Sequence, residues 1–247
     1  MSALPGTTGR RRIYLMRHGH VDYFSREVRE AGHTDQVPLT PLGREQAKAS
    51  GAALAHVRFD RAMSSGLPRT RETAEIVLGV NADCEHLSLE VEPGLVEIKG
   101  GGGMARAKSR EELAARMTFE FDQANEPGAQ MMGGDVFADV QARAAKSLER
   151  FLAEPGWHTA LVVAHEGTNR LLLSWMTGSG LKAVQSFEQD LACINVLDFD
   201  MVPREDGTVG TEIARRIIKV VNLTPYNYVK FGMNLTAIET IFARQLK

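Results

Sequence analysis

Cysteine is scarce: Cys84 and Cys193 are the only two in 247 residues. So few, so far apart, exclude a disulfide framework and a thiolate metal site, and they read as the reduced, partly buried thiols of an intracellular chain. A strong charge of one sign is also lacking. Twenty-nine Lys and Arg against 31 Asp and Glu leave a net charge of −2. That excludes the basic excess of a general nucleic-acid binder, although local basic groups can still hold a small anion. No apolar run reaches the length that crosses a bilayer, and none of signal-peptide length follows Arg10, Arg11 and Arg12. A soluble, cytoplasmic protein with no membrane partner is expected. No repeat, heptad run or linker divides the chain, and 43% hydrophobic content over 247 residues suffices for a single domain, 1–247. Within it, residues 1–11 are expected to be disordered.

What is present alternates between strand and helix signals, which predicts a three-layer α/β fold, a mainly parallel sheet with helices on both faces. Ile13-Tyr14-Leu15-Met16 reads as a short buried strand, and Thr159 to Ala164 as the clearest one. Thr40-Pro41 predicts a helix start, with threonine as N-cap and proline at the first helical position. A further helix is expected over Leu67 to Leu78, and a weak strand near Asp83 to Leu87. Ser109-x-x-Glu112 forms a capping box, and Asp135 is expected to cap a helix running to Ala153. Strands at Ala192 to Phe199 and Glu212 to Val221, divided by a turn-rich stretch, predict an antiparallel edge. Residues 98–135, with glycines at 100 to 103, are expected to form a variable, lid-like insertion. Gly102 to Ser109 falls short of a phosphate-binding P-loop, because Ala107 stands where glycine is needed. A short terminal helix with Ile238, Ile241 and Phe242 offers an apolar contact surface, so a homodimer is a possible assembly.

Two of the strands run straight into histidine, at His18 and His165. In open α/β sheets ligands bind beyond the carboxyl ends of strands. If these two strands are neighbours, both imidazoles reach one crevice. Arg17 offers a planar fork of donors, and Gly19 lets the backbone pass close to a ligand. Arg69 lies about one turn into the helix that follows Ser65, where the helix terminus adds partial positive charge. Arg17, His18, Arg69 and His165 could thus surround one phosphoryl group. A neutral imidazole can attack phosphorus and carry the group covalently, while cations neutralise the equatorial oxygens. Glu97 would give the leaving alkoxide its proton. This chemistry calls for no metal and no cofactor.

The order of these pieces resembles the histidine phosphatase superfamily, the one that includes the cofactor-dependent phosphoglycerate mutases. The matching residues are Arg17-His18-Gly19, the run Pro38 to Ala47, the run Ser64 to Ala74, Glu97, and Val163-Ala164-His165-Glu166-Gly167. The resemblance implies a phosphoglycerate mutase-like fold, with His18 as the phosphorylated nucleophile and Arg17, Arg69 and His165 as phosphate ligands. It implies that Glu97 is the acid/base, with Glu166 as the rival. The chain departs from the pattern at His20 to Phe24, where the family often has Glu or Gln followed by Asn, and after Glu97, where Lys99 and the glycine run stand. The insert of the glycolytic mutases is missing. The expected function is therefore hydrolysis of a small phosphorylated metabolite. A mutase-type phosphotransferase and a non-catalytic phospholigand-binding protein are the alternatives. Specificity is expected from Tyr23, Phe24 and residues 99–135.

Overall fold

The computed structural model describes residues 4–31, 34–84, 86–102 and 108–242. The chain runs β1 (Gly9–Arg17), α1 (Arg26–Ala31), α2 (Pro41–Leu54), β2 (Arg61–Ser64), α3 (Pro68–Gly79), β3 (Leu89–Val91) and α4 (Arg110–Asp122). It continues with α5 (Phe137–Ala153), β4 (Thr159–Ala164), α6 (Glu166–Met176), β5 (Ile194–Pro203), β6 (Thr211–Leu223) and α7 (Ala237–Phe242). The six strands form one sheet in the order β3-β2-β4-β1-β5-β6. Its first four members are parallel, and β5 and β6 are antiparallel.

The apolar run Thr159 to Ala164 becomes the central strand because it is covered on both faces. Ala160, Val162 and Ala164 face α5 and α6, packing with Leu148, Leu152, Leu172 and Leu173. Leu161 and Val163 face α2 and α3, packing with Leu54, Ala74, Val77 and Leu78. Each Leu or Val side chain among them contributes about 1.5–3 kcal/mol relative to exposure. A third cluster joins α4 and α7 through Phe121, Phe137, Ile238 and Phe242, with Met131 and Met132 filling it. No helix among the described residues is long and apolar enough to cross a membrane.

Several expectations are corrected. β1 starts at Gly9, not at Ile13, so residues 9–11 are paired rather than disordered: Gly9, Arg10 and Arg11 face Met201, Asp200 and Phe199 of β5. Charge extends the strand, because Arg10 and Arg12 each meet an aspartate of β5 (Asp200 and Asp198) at 2.7 Å. The strand expected near Asp83 to Leu87 is displaced to Leu89–Val91, after a 3₁₀ turn at Ala82–Cys84. The Asn81 side chain accepts the Asp83 N–H and donates to the Val57 carbonyl, which bends the chain there. Asp135 does not cap α5, whose N-cap is Val136; its carboxylate accepts the Lys99 N–H instead. Ile238 and Phe242 of α7 are buried within the chain, with Phe242 5.4 Å from Phe24 between ring centroids.

The glycines of the 98–135 segment have a packing role. A Cβ at Gly101 would lie 2.3 Å from the Gly133 carbonyl oxygen, and one at Gly134 would lie 2.2 Å from that of Lys99. Two backbone segments meet there because neither carries a side chain. Most of the P-loop-like run falls at 103–107, outside the described residues. Ser109 caps α4 by accepting the Glu112 N–H.

Candidate active site

β1 and β4 are parallel neighbours with Arg17 opposite Ala164, and the next residue of each is histidine. The register therefore brings His18 and His165 to the same level at the carboxyl end of the sheet. Their ring centroids lie 5.3 Å apart, inclined at 67°. β2 ends beside them, with Ser64 opposite Val163, and hands the chain to α3. Arg69, in the first turn of α3, is 3% exposed; Arg17 and His18 are 1% exposed and His165 fully buried. The four groups share one buried region, as the strand ends predicted.

The hydrogen bonds assign each ring a proton. His18 Nδ1 lies 2.7 Å from the Gly19 carbonyl oxygen. A carbonyl only accepts, so Nδ1 carries the hydrogen and Nε2 holds the lone pair. For His165, the chain of partners runs outward from Nε2. Thr70 Oγ1 donates to the Leu67 carbonyl, so Ser65 Oγ donates to Thr70 Oγ1 and is left to accept from His165 Nε2, at 2.8 Å. Nε2 thus carries the hydrogen, and Nδ1 is buried without a partner. Burial, then the charges of Arg69 and Arg17, push the His18 imidazole well below its ordinary value of 6.5. Burial, Arg69, His18 and Arg17 do the same to His165. Both rings are neutral at neutral pH.

The arginines are anchored at one end and free at another. Arg17 Nη1 donates to the Gln189 carbonyl and lies 3.1 Å from Glu166 Oε2, while its Nε has no partner. Burial opposes the Arg17 charge, but Glu166, Tyr23 and Cys193 outweigh it and the value is raised. Arg69 Nη1 donates to the Thr34 carbonyl at 3.1 Å, and its Nε is also unpartnered. Buried polar atoms without partners are rare in native proteins. Three such atoms sit on Arg17, Arg69 and His165, the two charges and the ring that neighbour His18.

Glu97 is brought to the same helix terminus as His165. Its Oε1 accepts from the backbone of Thr168 and of Ile98, both at 3.0 Å, and its Oε2 accepts from Gly167 at 3.2 Å. The carboxylate caps α6, and a lone pair of Oε2 remains available. Arg143 steadies the segment by donating to the Gly94 and Val96 carbonyls, at 3.0 Å each. A cavity of about 350 Å³ opens on the far side of Glu97, lined also by Lys99, Asp135, Asp139 and Arg143 but by none of Arg17, His18, Arg69 and His165. Glu166 is engaged differently: its two oxygens face two buried guanidinium groups, Arg17 at 3.1 Å and Arg170 at 2.9 Å. Neither oxygen is left facing the histidines without a cation on it.

Other partners were not singled out from sequence. Ser65, Thr70 and Gln189 hold His165 and Arg17, and the hydroxyl of Thr73 accepts the Gly19 N–H. Gly19 packs closely on α2: a Cβ there would lie 2.3 Å from the Gly43 carbonyl oxygen. Tyr23 lies beside the site, its ring 5.8 Å from the Arg69 guanidinium. Phe24, expected to read substrate, packs instead between Phe242 and Arg110. Among the described residues no group of three or more His, Cys, Asp and Glu is placed to hold a metal ion.

Residues 13–204 match the family model of the histidine phosphatase superfamily (branch 1). Among curated proteins, the 2-carboxy-D-arabinitol-1-phosphatase of Triticum aestivum is 28% identical over 200 residues, 81% of this chain but 39% of that protein. The chain thus spans well under half the length of that relative. The adenosylcobalamin/alpha-ribazole phosphatase of Salmonella typhi is 26% identical, with 76% of this chain and 90% of that protein aligned. Two solved structures share the fold. The mycobacterial glucosyl-3-phosphoglycerate phosphatase superposes with a TM-score of 0.64 at 23% identity, covering 87% of this chain and 99% of that one. The alpha-ribazole phosphatase of Shigella flexneri gives 0.60 at 23% identity, covering 85% and 96%.

Proposed function

Because the chain belongs to the histidine phosphatase superfamily, we propose that it hydrolyses a small phosphomonoester through a phosphohistidine at His18, with no metal or cofactor taking part. The observation that carries this reading is the set of orphaned groups. Arg17 Nε, Arg69 Nε and His165 Nδ1 are buried and unpaired, on the two charges and the ring that neighbour His18. A phosphoryl group supplies the acceptor oxygens that the two guanidinium Nε–H groups lack, and the negative charge that a second proton on His165 needs.

The steps follow from the atoms. His18 Nε2 attacks phosphorus while the ester P–O bond breaks, and Glu97, in its carboxylic acid form, gives a proton to the departing oxygen. Arg17 and Arg69 neutralise the equatorial oxygens. His165 carries a hydrogen on Nε2 toward Ser65, so its Nδ1 donates to phosphate only after taking up a second proton. The phosphoryl dianion provides the counter-charge that makes that proton stable. Water then attacks phosphorus as the P–N bond breaks and returns its electron pair to His18 Nε2, the Glu97 carboxylate accepts the water proton, and inorganic phosphate leaves. The relatives named as phosphatases support hydrolysis over transfer to a second alcohol.

The test is hydrolysis of a chromogenic aryl phosphate in EDTA, by wild-type protein and by His18→Ala. Turnover by the wild type and none by the variant is the expected result. Substantial activity in His18→Ala would reject covalent catalysis, and a wild type that binds inorganic phosphate without turnover would point to a phospholigand receptor.

A further inference from the structure

An arginine buried for anion binding must be held in place while the pocket is empty. For Arg17 the support extends well beyond its first partner. Its Nη1 is shared between the Gln189 carbonyl, at 2.5 Å, and Glu166 Oε2. The other oxygen of Glu166 meets Arg170 Nη2 at 2.9 Å, and the same nitrogen meets Glu188 Oε2 at 3.0 Å. The second oxygen of Glu188 accepts the N–H of Ala237, the first residue of α7, at 2.8 Å. Charges alternate along this line from the pocket to the last described helix. The side chains of Arg17, Glu166 and Arg170 are 2%, 7% and 6% exposed. The Arg170 guanidinium also lies 4.9 Å from the Phe121 ring of α4, against which α7 packs.

Two features separate this line from an ordinary buried ion pair. One carboxylate would satisfy Arg17, yet four charged side chains are linked in series, at a desolvation cost that stability alone does not repay. Glu188 and Gln189 are also neighbours in the chain, so the same dipeptide reaches Arg17 twice. It does so directly through the Gln189 carbonyl, and indirectly through Glu188, Arg170 and Glu166. Any shift of α7 that draws on Glu188 is felt at Arg17 by both routes.

We infer that Arg170 and Glu188 are positioning residues for phosphate binding: they hold Arg17 through Glu166 and couple the seating of α7 to the affinity of the pocket for phosphate. The inference rests on the proposed function, in which Arg17 is a phosphate ligand. It also gives Glu166 the task of orienting a cation, and not that of donating a proton.

The experiment measures the inhibition constant of inorganic phosphate, with the melting temperature of each variant as control. Glu188→Gln keeps an acceptor but removes the charge, and Arg170→Met cuts the line. Each is expected to weaken phosphate about two- to 150-fold, the range of coupling energies within one buried polar network. Arg170→Lys is expected to recover part of the loss. Combining Glu188→Gln with Arg17→Lys should give less than the product of the two single effects. Variants that melt earlier yet bind phosphate as the wild type does, well below their melting temperatures, would overturn the inference, as would strictly multiplicative effects with Arg17→Lys. If Arg170→Met does not fold, Glu188→Gln, on a side chain 34% exposed, decides alone. A wild type that phosphate does not inhibit would instead sink the reading of the pocket.

Discussion

The two buried imidazoles make folding stability depend on pH in a defined window. His18 and His165 are enclosed, and burial together with Arg69 and Arg17 holds both well below 6.5. In the unfolded chain each takes up a proton as the pH falls through about 6.5. In the folded chain neither does, so the unfolded state binds more protons and stability falls with falling pH. The contribution is complete above 6.5 and is lost progressively below it, by up to about 1.4 kcal/mol per pH unit for each histidine. Two together approach about 2.7 kcal/mol per unit, a large share of the roughly 5–15 kcal/mol that holds an ordinary domain together. His20, also lowered by burial, adds to the same slope. The carboxylates that are lowered, Glu92, Glu239, Asp200 and Asp206, act at lower pH, since their ordinary values are 4.5 for Glu and 3.8 for Asp. The range from pH 6.5 to 5 therefore isolates the histidines. The assay is urea unfolding at half-unit intervals, on wild type and on His165→Asn, which keeps a polar partner for Ser65. The variant should lose a large part of the slope. A wild-type stability that is flat between pH 7 and 5.5, or a variant slope equal to it, would refute the reasoning.

Three other outcomes follow from the same geometry. Ser65→Ala removes the partner of His165 Nε2, and leaving that group unpaired should cost about 1–3 kcal/mol, read as a lower urea midpoint together with weaker inhibition by inorganic phosphate. Gly167→Ala places a Cβ 2.5 Å from Ile98 Cγ2 and 2.9 Å from Glu97 Oε1. The displacement should lower stability by about 1–3 kcal/mol and reduce kcat; a variant unchanged in both would show that the cap on α6 is slack. Glu97→Gln should slow alkyl phosphates more than activated aryl phosphates, whose leaving groups need little protonation. An equal loss on both, or a larger effect at Glu166→Gln, would move the acid elsewhere.

The part of the site carried by regular structure was legible in the sequence. β1 and β4 are short, apolar and run directly into histidine, and a parallel sheet places consecutive ends of neighbouring strands together. Arg69 was readable for the same reason, lying one turn into the helix after β2. What escaped depends on contacts between distant segments. β3 has three residues, none of them fully buried, so no periodicity marks it. The need for glycine at position 19 arises from Gly43, and at 101 from Gly133, neither visible from local composition. Glu97 was read for its chemistry, yet its first task is to cap a helix 70 positions away in sequence. Arg170 and Glu188 look like surface charges along the chain and become parts of the site only because Gln189 and Glu166 both reach Arg17.

The proposed hydrolysis depends most on a covalent intermediate at His18. A single-turnover reaction quenched under alkaline conditions, which preserve a phosphorus–nitrogen bond, and read by peptide mass spectrometry tests it directly. A phosphoryl group on the peptide containing His18, appearing and decaying at rates compatible with turnover and absent from His18→Ala, is the predicted result. Turnover with no such adduct, or with the phosphoryl group on His165 or another residue, would contradict it.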